Sequence, residues 1–308
     1  MGTVHTLIER HGVAQAKSMA DTHVDLLAID AAARVMSEEE SRLGITHAGF
    51  AMTSLPHRAI KESVWRRTGI SSTLLVESGR SETGEFIGVP FGSMARLILL
   101  YLQTQAIRTG NPEIDLGGSM KAWMEAMGLQ RGGKTYRNVA EQARRLSRCR
   151  LTFFSDVAGG RSWETAAFVS GGISMLGLAD GSQQQLWTEK VRLDDGFWRS
   201  LQDHPVPVRE EAIQAISNRS MAMDLYIWLA YRLHSLTKPT PITWLALYHQ
   251  FGAGFRLVKH LKPELLAALQ LALAVYPEAR VDITETGLLL HPSHPAVPKA
   301  SARRIGIA

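Results

Sequence analysis

One order of elements, written twice, constrains this chain more than any other feature. The first copy opens after Gly92, where Ser93 stands at an N-cap position and Met94, Leu97, Ile98, Tyr101 and Leu102 follow at helical spacing. Asn111-Pro112 breaks that helix, and residues 114–116 are short and extended. Gly117-Gly118-Ser119 opens a second helix, with Met120, Trp123, Met124 and Met127 on one face and Gly128 at its end. After a polar turn over 129–133, a third helix is expected from 134 to 149, then strands at 150–155 and 163–170 joined through Gly159-Gly160.

About 130 residues later the order recurs. Met221, Leu225, Trp228, Leu229 and Leu233 mark a helix, 241–244 an extended piece, and 244–251 a second helix stopped by Gly252. A long helix follows to about Tyr276, its regular part placed from Pro263, because proline is tolerated only in a first turn. Strands at 279–284 and 288–291 flank Glu285-Thr286-Gly287. Helix, short strand, helix, helix, hairpin is the order of a winged helix-turn-helix, and a duplication weighs more than either copy alone.

The expected fold is therefore α+β, mainly α with small β-hairpins, built as two tandem winged helices at 89–170 and 209–295. A linker region would occupy 171–208 and a C-terminal tail 296–308. An N-terminal region, 1–88, would be helical to about 45, with Val24, Leu27, Ala28, Ala31 and Val35 as its apolar stripe. Beyond that it would be loop-rich, with short extended runs at 73–76 and 85–89. A length of 308 residues suits two domains of roughly 150 residues each. With 45% hydrophobic and 20% charged residues the chain is globular rather than disordered. No stretch approaches the roughly 18 apolar residues that span a bilayer, and no apolar signal core opens the sequence. Cys149 is the only cysteine, which excludes an intramolecular disulfide and a thiolate-only zinc site. A soluble, cytoplasmic protein without membrane contact is expected.

The net charge of +5 fits a polyanionic partner but says little until it is located. Its densest part lies between 131 and 150, where Arg131, Lys134, Arg137, Arg144, Arg145, Arg148 and Arg150 face one acid, Glu141. On a helix Arg137, Glu141, Arg144 and Arg148 share a face, while Val139, Ala143 and Leu146 lie on another that can seal a core. A helix lying in a major groove requires that division. Arginine's planar fork bonds guanine O6 and N7 together, or grips phosphate. Arg131, Lys134, Thr135, Tyr136 and Arg137, near the helix start, are the base-reading candidates. Arg144, Arg145 and Arg148 are placed on phosphates, and Arg161 at the hairpin tip on an adjacent minor groove or on backbone. In the second copy Arg256, Lys259, His260 and Lys262 precede a mostly apolar helix whose 265–275 run reads as core or as a face for a partner.

Other chemistry finds little to stand on. Gly128 to Thr135 spells GLQRGGKT and matches the P-loop string, but a P-loop follows a buried strand, and here an amphipathic helix comes first. His291 and His294 have metal-compatible spacing in HPSHP, yet the two prolines and the lack of a nearby cysteine or carboxylate favour a surface turn. No histidine pair stands beside a tyrosine as a metal-dependent nicking site would need. No cofactor and no enzymatic activity are expected.

The segments PFGSMARLILLYLQTQAIRT and MKAWMEAMGLQRGGKTYRNVAEQARRLSRCRLTFF resemble the plasmid-encoded RepA replication initiators of proteobacteria. PTPITWLALYHQFG and LLAALQLALAVYPEARV are similar to that family's C-terminal half, so the likeness runs over roughly 30–295. The resemblance implies a protein that binds repeated sites (iterons) in double-stranded DNA at a plasmid origin. It also implies help in opening the duplex, recruitment of the host initiator and replicative helicase, and a homodimer that represses its own promoter. The DNA-binding role transfers to the matching block, Gly132 to Arg148. A winged-helix transcriptional repressor is the nearest alternative. A nucleotide hydrolase built on the GKT string and a protein scaffold without DNA are alternatives from other classes.

Overall fold

The computed structural model describes residues 3–38, 42–69, 72–157, 160–171 and 190–298; of these, side chains are not described at residue 3, 156–157, 160–165 and 171. The fold is α+β. Its first half runs α1 (Thr3–Ser18), α2 (His23–Ser37), β1 (Leu43–His47), α3 (Ala48–Met52), β2 (Val64–Thr68) and β3 (Ser72–Glu77). Then come α4 (Gly92–Thr109), β4 (Glu113–Asp115), α5 (Met120–Ala126), α6 (Gly133–Arg148), β5 (Arg150–Val157), β6 (Gly160–Ala167) and β7 (Val169–Gly171). The rest is β8 (Lys190–Leu193), α7 (Asp195–Asp203), β9 (Pro205–Arg209), α8 (Glu210–Ala215), α9 (Ser220–Leu233), β10 (Thr240–Thr243), α10 (Trp244–Phe251), α11 (Val258–Ala274), β11 (Val281–Ile283) and β12 (Gly287–Leu290).

The chain forms two compact units. One comprises Met1–Gly44, Phe50–Met52 and Val206–Ala308, the other Ile45–Gly49 and Thr53–Pro205. The stretch 1–88 thus divides between them, and 171–208 holds β8, α7 and most of β9 as well as residues outside those described.

In the middle unit α4 supplies Leu97, Ile98 and Leu102 and α5 supplies Trp123 and Met124 to a core that α6 closes with Val139, Ala143 and Leu146. Ser119 caps α5 by accepting from the Ala122 amide at 3.1 Å. The start of α4 differs from expectation: Phe91 holds the N-cap position, with no side-chain cap, and Ser93 lies inside the helix. Gly92 instead donates its amide to the Pro56 carbonyl at 2.9 Å. Hairpin β5–β6 is antiparallel, with Arg150 opposite Ala167. It does not pair with the short strand between the helices. It extends a four-stranded sheet, β2-β3-β5-β6, while β4 pairs with β8, and β8 with β7. β2 went unforeseen because Val64-Trp65-Arg66-Arg67-Thr68 has no clean alternation, and its burial follows a partly polar pattern. The run at 85–89 is no strand; Phe86 makes only an isolated bridge to Arg80.

In the outer unit α1 and α2 form a helical pair, with α2 started by a capping box between Thr22 and Asp25. Ala28, Ala31 and Val35 of its stripe are buried, and Val24 and Leu27 half-buried. α9 and α11 carry the core with Leu225, Leu229, Leu265 and Leu269, and Tyr226 meets Tyr276 edge-on at 6.0 Å. The small sheet has the order β10-β12-β11, all antiparallel, so the strand between the helices joins the hairpin directly here. α11 begins at Val258, five residues earlier than the proline rule suggested, with Pro263 inside it.

Among the described residues no helix is long and apolar enough to cross a membrane.

Candidate nucleic-acid interface

α6 starts at an uncapped glycine and runs straight into β5. Gly132 is its N-cap, without a side-chain bond, and Cys149 its C-cap, whose amide donates to the Arg145 carbonyl at 3.1 Å. The preceding turn is set by Gly128, whose φ of 70° ends α5 in the left-handed region that glycine occupies without penalty. The GKT string therefore follows a helix and lies in the first turn of another.

The two faces of α6 differ sharply. Val139, Ala140, Gln142, Ala143 and Leu146 are buried, while Lys134, Arg137, Glu141, Arg144 and Arg148 are exposed. Thr135 and Tyr136 are half-buried. Arg137 Nε donates to its own helix at the Gly133 carbonyl, 3.3 Å. Arg131, ahead of the helix, is 69% exposed and donates from Nε to Glu125 at 2.8 Å, an exposed pair that competes poorly with solvent. The side chains of Arg144 and Arg148, one turn apart, make no hydrogen bond or ion pair among the described residues, although the Arg144 carbonyl accepts from the Ser147 hydroxyl at 3.0 Å.

Arg145 departs from the expected phosphate grip. Its side chain is only 15% exposed and turned inward, donating to the Val89 carbonyl at 2.9 Å and to Glu141 at 2.8 Å. The guanidinium also lies 5.0 Å from the centre of the Phe91 ring. Beside it, the fully buried Gln142 accepts from the Phe91 amide at 2.8 Å. A Cβ at Gly88, where φ is +102°, would run into that guanidinium, and one at Gly79 would run into the Arg148 carbonyl. Together these contacts clamp the segment from Gly79 to Phe91 along the C-terminal half of α6. Local spacing gave no sign of this, because the partners lie more than fifty residues apart in sequence.

Arg161 lies in β6, its backbone opposite Asp156; its side chain is outside the described residues. In the second copy Arg256 precedes α11, but Lys259, His260 and Lys262 belong to its first turns rather than lying ahead of it. Arg256, Lys259 and His260 are exposed. Lys262 is half-buried, its ammonium 4.6 Å from the centre of the Trp244 ring, which ties it to α10. The structure thus places the two basic groups in different units, one at α6 and one at α11.

His291 Nε2 lies 2.8 Å from Asp282 Oδ2, and the His294 carbonyl accepts from the Tyr276 hydroxyl at 2.6 Å. Among the described residues no group of three or more metal-ligating side chains converges. Cys149 is buried, and burial pushes its thiol up to about 12.

This arrangement defines a class, a chain presenting an arginine-rich helix whose other face closes a core. Residues 89–244 match the family of plasmid-encoded RepA proteins, and the chain belongs to that family. The coarse function that goes with membership is that of a plasmid replication initiator. Among solved structures, the chain is similar to selenomethionine derivatives of domains 2 and 3 of RctB at 8% identity and a TM-score of 0.49. That alignment covers 82% of this chain and 97% of the other. A second structure of RctB domains 2–3 aligns at 9% identity and a TM-score of 0.42, covering 75% and 83% respectively. Likeness at this level says nothing about what this chain binds. No curated protein sequence matches it.

Proposed function

We propose that this RepA-family chain is a sequence-specific, non-enzymatic binder of double-stranded DNA that recognises repeated sites at a plasmid origin through two winged helices. The carrying observation is α6, whose apolar side is sealed in the core while Lys134, Arg137, Arg144 and Arg148 stand in solvent. A major groove admits one α-helix and offers base edges to its N-terminal turns and phosphates to its flanks. Lys134, Thr135, Tyr136 and Arg137 then face bases, and Arg144 and Arg148 hold phosphates. Arg145 serves to hold α6 in place. Opening of the origin, a homodimer, and recruitment of the host initiator and helicase belong to the same reading.

The test is an electrophoretic shift of the full chain and of R137A/R144A on duplex carrying direct repeats from the cognate origin, against scrambled duplex at several salt concentrations. Wild type should prefer the repeats by about a thousandfold, and the double variant should lose that preference. Equal binding of both duplexes by both proteins would refute the reading.

A further inference from the structure

In the outer unit α2 packs against both α8 and α11, and beside the α8–α9 turn these helices leave an opening of about 260 Å³. Leu27 and Ala31 of α2, Ile216 at the end of α8 and Leu271 of α11 form its apolar floor. Ala31, Ile216 and Leu271 are buried and Leu27 is half-buried. Around the mouth stand Asp30, Arg34 and Arg219, all exposed.

The charge at this mouth is one-sided. Asp30 is neutralised by an ion pair with Lys17 of α1. Arg34 uses one of its donors on Gln214, at 3.0 Å, and keeps the rest of its fork open. Arg219 holds the N-cap position of α9 without a side-chain cap, and its guanidinium has no hydrogen bond or ion pair among the described residues. Two guanidinium groups with free donors therefore flank an apolar floor. The opening is smaller than the roughly 300–1,000 Å³ of pockets that enclose whole cofactors, and it suits one apolar side chain of a larger partner. Duplex DNA would bring phosphate to the arginines and leave the floor empty. An acidic peptide satisfies both parts, with an apolar anchor in the pocket and carboxylates paired to the arginine forks.

We propose that this opening is a docking site for an acidic segment of a partner protein, which buries one apolar side chain on Leu27, Ala31, Ile216 and Leu271 and sets its carboxylates against Arg34 and Arg219. The site uses none of the residues assigned to DNA, so it stands independently of the DNA-binding reading.

The full chain, without DNA, serves to select binders from a displayed library of short random peptides, and the enriched sequences are then measured as fluorescein-labelled peptides by anisotropy. Enriched peptides should carry an apolar residue beside Asp or Glu. R34E/R219E should weaken their binding by about tenfold or more, because like charges then meet across the contact. A215W, which puts an indole into the opening, should weaken it as well. A peptide with its acids replaced by lysine should reverse the order and bind R34E/R219E more tightly than wild type. R137A/R144A, altered in the middle unit, should bind the acidic peptides as wild type does. The thermal midpoint of R34E/R219E should match that of wild type, since both side chains are exposed. The proposal is overturned if no acidic and apolar peptides are enriched, or if R34E/R219E binds them as tightly as wild type. Loss of binding in R137A/R144A alone would assign the peptides to α6 and overturn it too.

Discussion

Arg144 and Arg145 are neighbours of one residue type, and the structure sets them in opposite surroundings, Arg144 in solvent and Arg145 turned inward, that a paired substitution can separate. Arg145→Ala removes a charged donor from the buried Val89 carbonyl, a contact of 2.9 Å. Hydrogen bonds of this kind are worth about 1.5–3 kcal/mol. The stacking on Phe91, at 5.0 Å, adds about 0.5–1 kcal/mol. The pair with the half-exposed Glu141 adds little. Arg145→Ala should therefore destabilise the middle unit by roughly 2–4 kcal/mol, a loss visible as a lower urea midpoint. Once the protein is folded at low temperature, its salt dependence of DNA binding should stay near that of wild type. Arg144→Ala should leave the midpoint unchanged. If Arg144 neutralises one phosphate, the slope of log affinity against log salt should fall by about 0.9. Urea titration followed by tryptophan fluorescence, and fluorescence anisotropy at four salt concentrations, would measure both. An Arg145→Ala variant as stable as wild type, with a reduced salt slope, would refute the reasoning and return Arg145 to the phosphate backbone.

His47 is buried, with Nδ1 accepting from the Gly49 amide at 3.0 Å and Nε2 2.9 Å from Ser200 Oγ. Burial, aided by the nearby His204, lowers its pKa to about 3. The unfolded chain then takes up a proton that the folded one refuses, so the contribution is full above the ordinary pKa of about 6.5 and is lost as pH falls below it. His47 should contribute a drop of about 2 kcal/mol in stability between pH 6.5 and 5, on top of that of His57, whose pKa burial also holds well below its ordinary value; a flat urea-midpoint profile would contradict both buried neutral rings. Gly79→Ala should destabilise by about 1–3 kcal/mol, because the added methyl meets the Arg148 carbonyl rather than a movable side chain; differential scanning fluorimetry would register it. Lys134→Ala should weaken duplex binding, while calorimetric titration of wild type with MgATP gives no heat; saturable ATP binding lost in the variant would revive the P-loop reading. Cys149 should resist a maleimide at pH 8 until denaturant is added, since burial holds its pKa near 12.

What the sequence made legible follows from how local each signal is. The third helix of the first copy was readable because arginines and apolar residues alternate at helical spacing within sixteen residues. The elements from α9 to β12 were readable almost one by one, except that Pro263 pushed the expected start of α11 too late. The helix absorbs that proline, and three of the four basic residues move from a loop into its first turns. The pairing of β3 with β5 was not readable, because it joins residues 72–77 to 150–155 and depends on tertiary context. The inward turn of Arg145 was not readable for the same reason. Its periodicity puts it at the margin between the two faces, and only the distant Val89 and Phe91 decide which way it turns.

The interrupted path of the outer unit sets the order in which this protein can be made. Residues 53–205 form one nearly continuous stretch and can fold as they leave the ribosome. α1 and α2 have to wait for α11, since the His5 and Asp25 partners, Ala274 and Gln270, are translated more than 230 residues later. At about 5–20 residues per second that delay is on the order of 12–50 s. During it the part of α2 that α8 and α11 cover, beyond the side packed on α1, stays open on the nascent chain and is a target for chaperones.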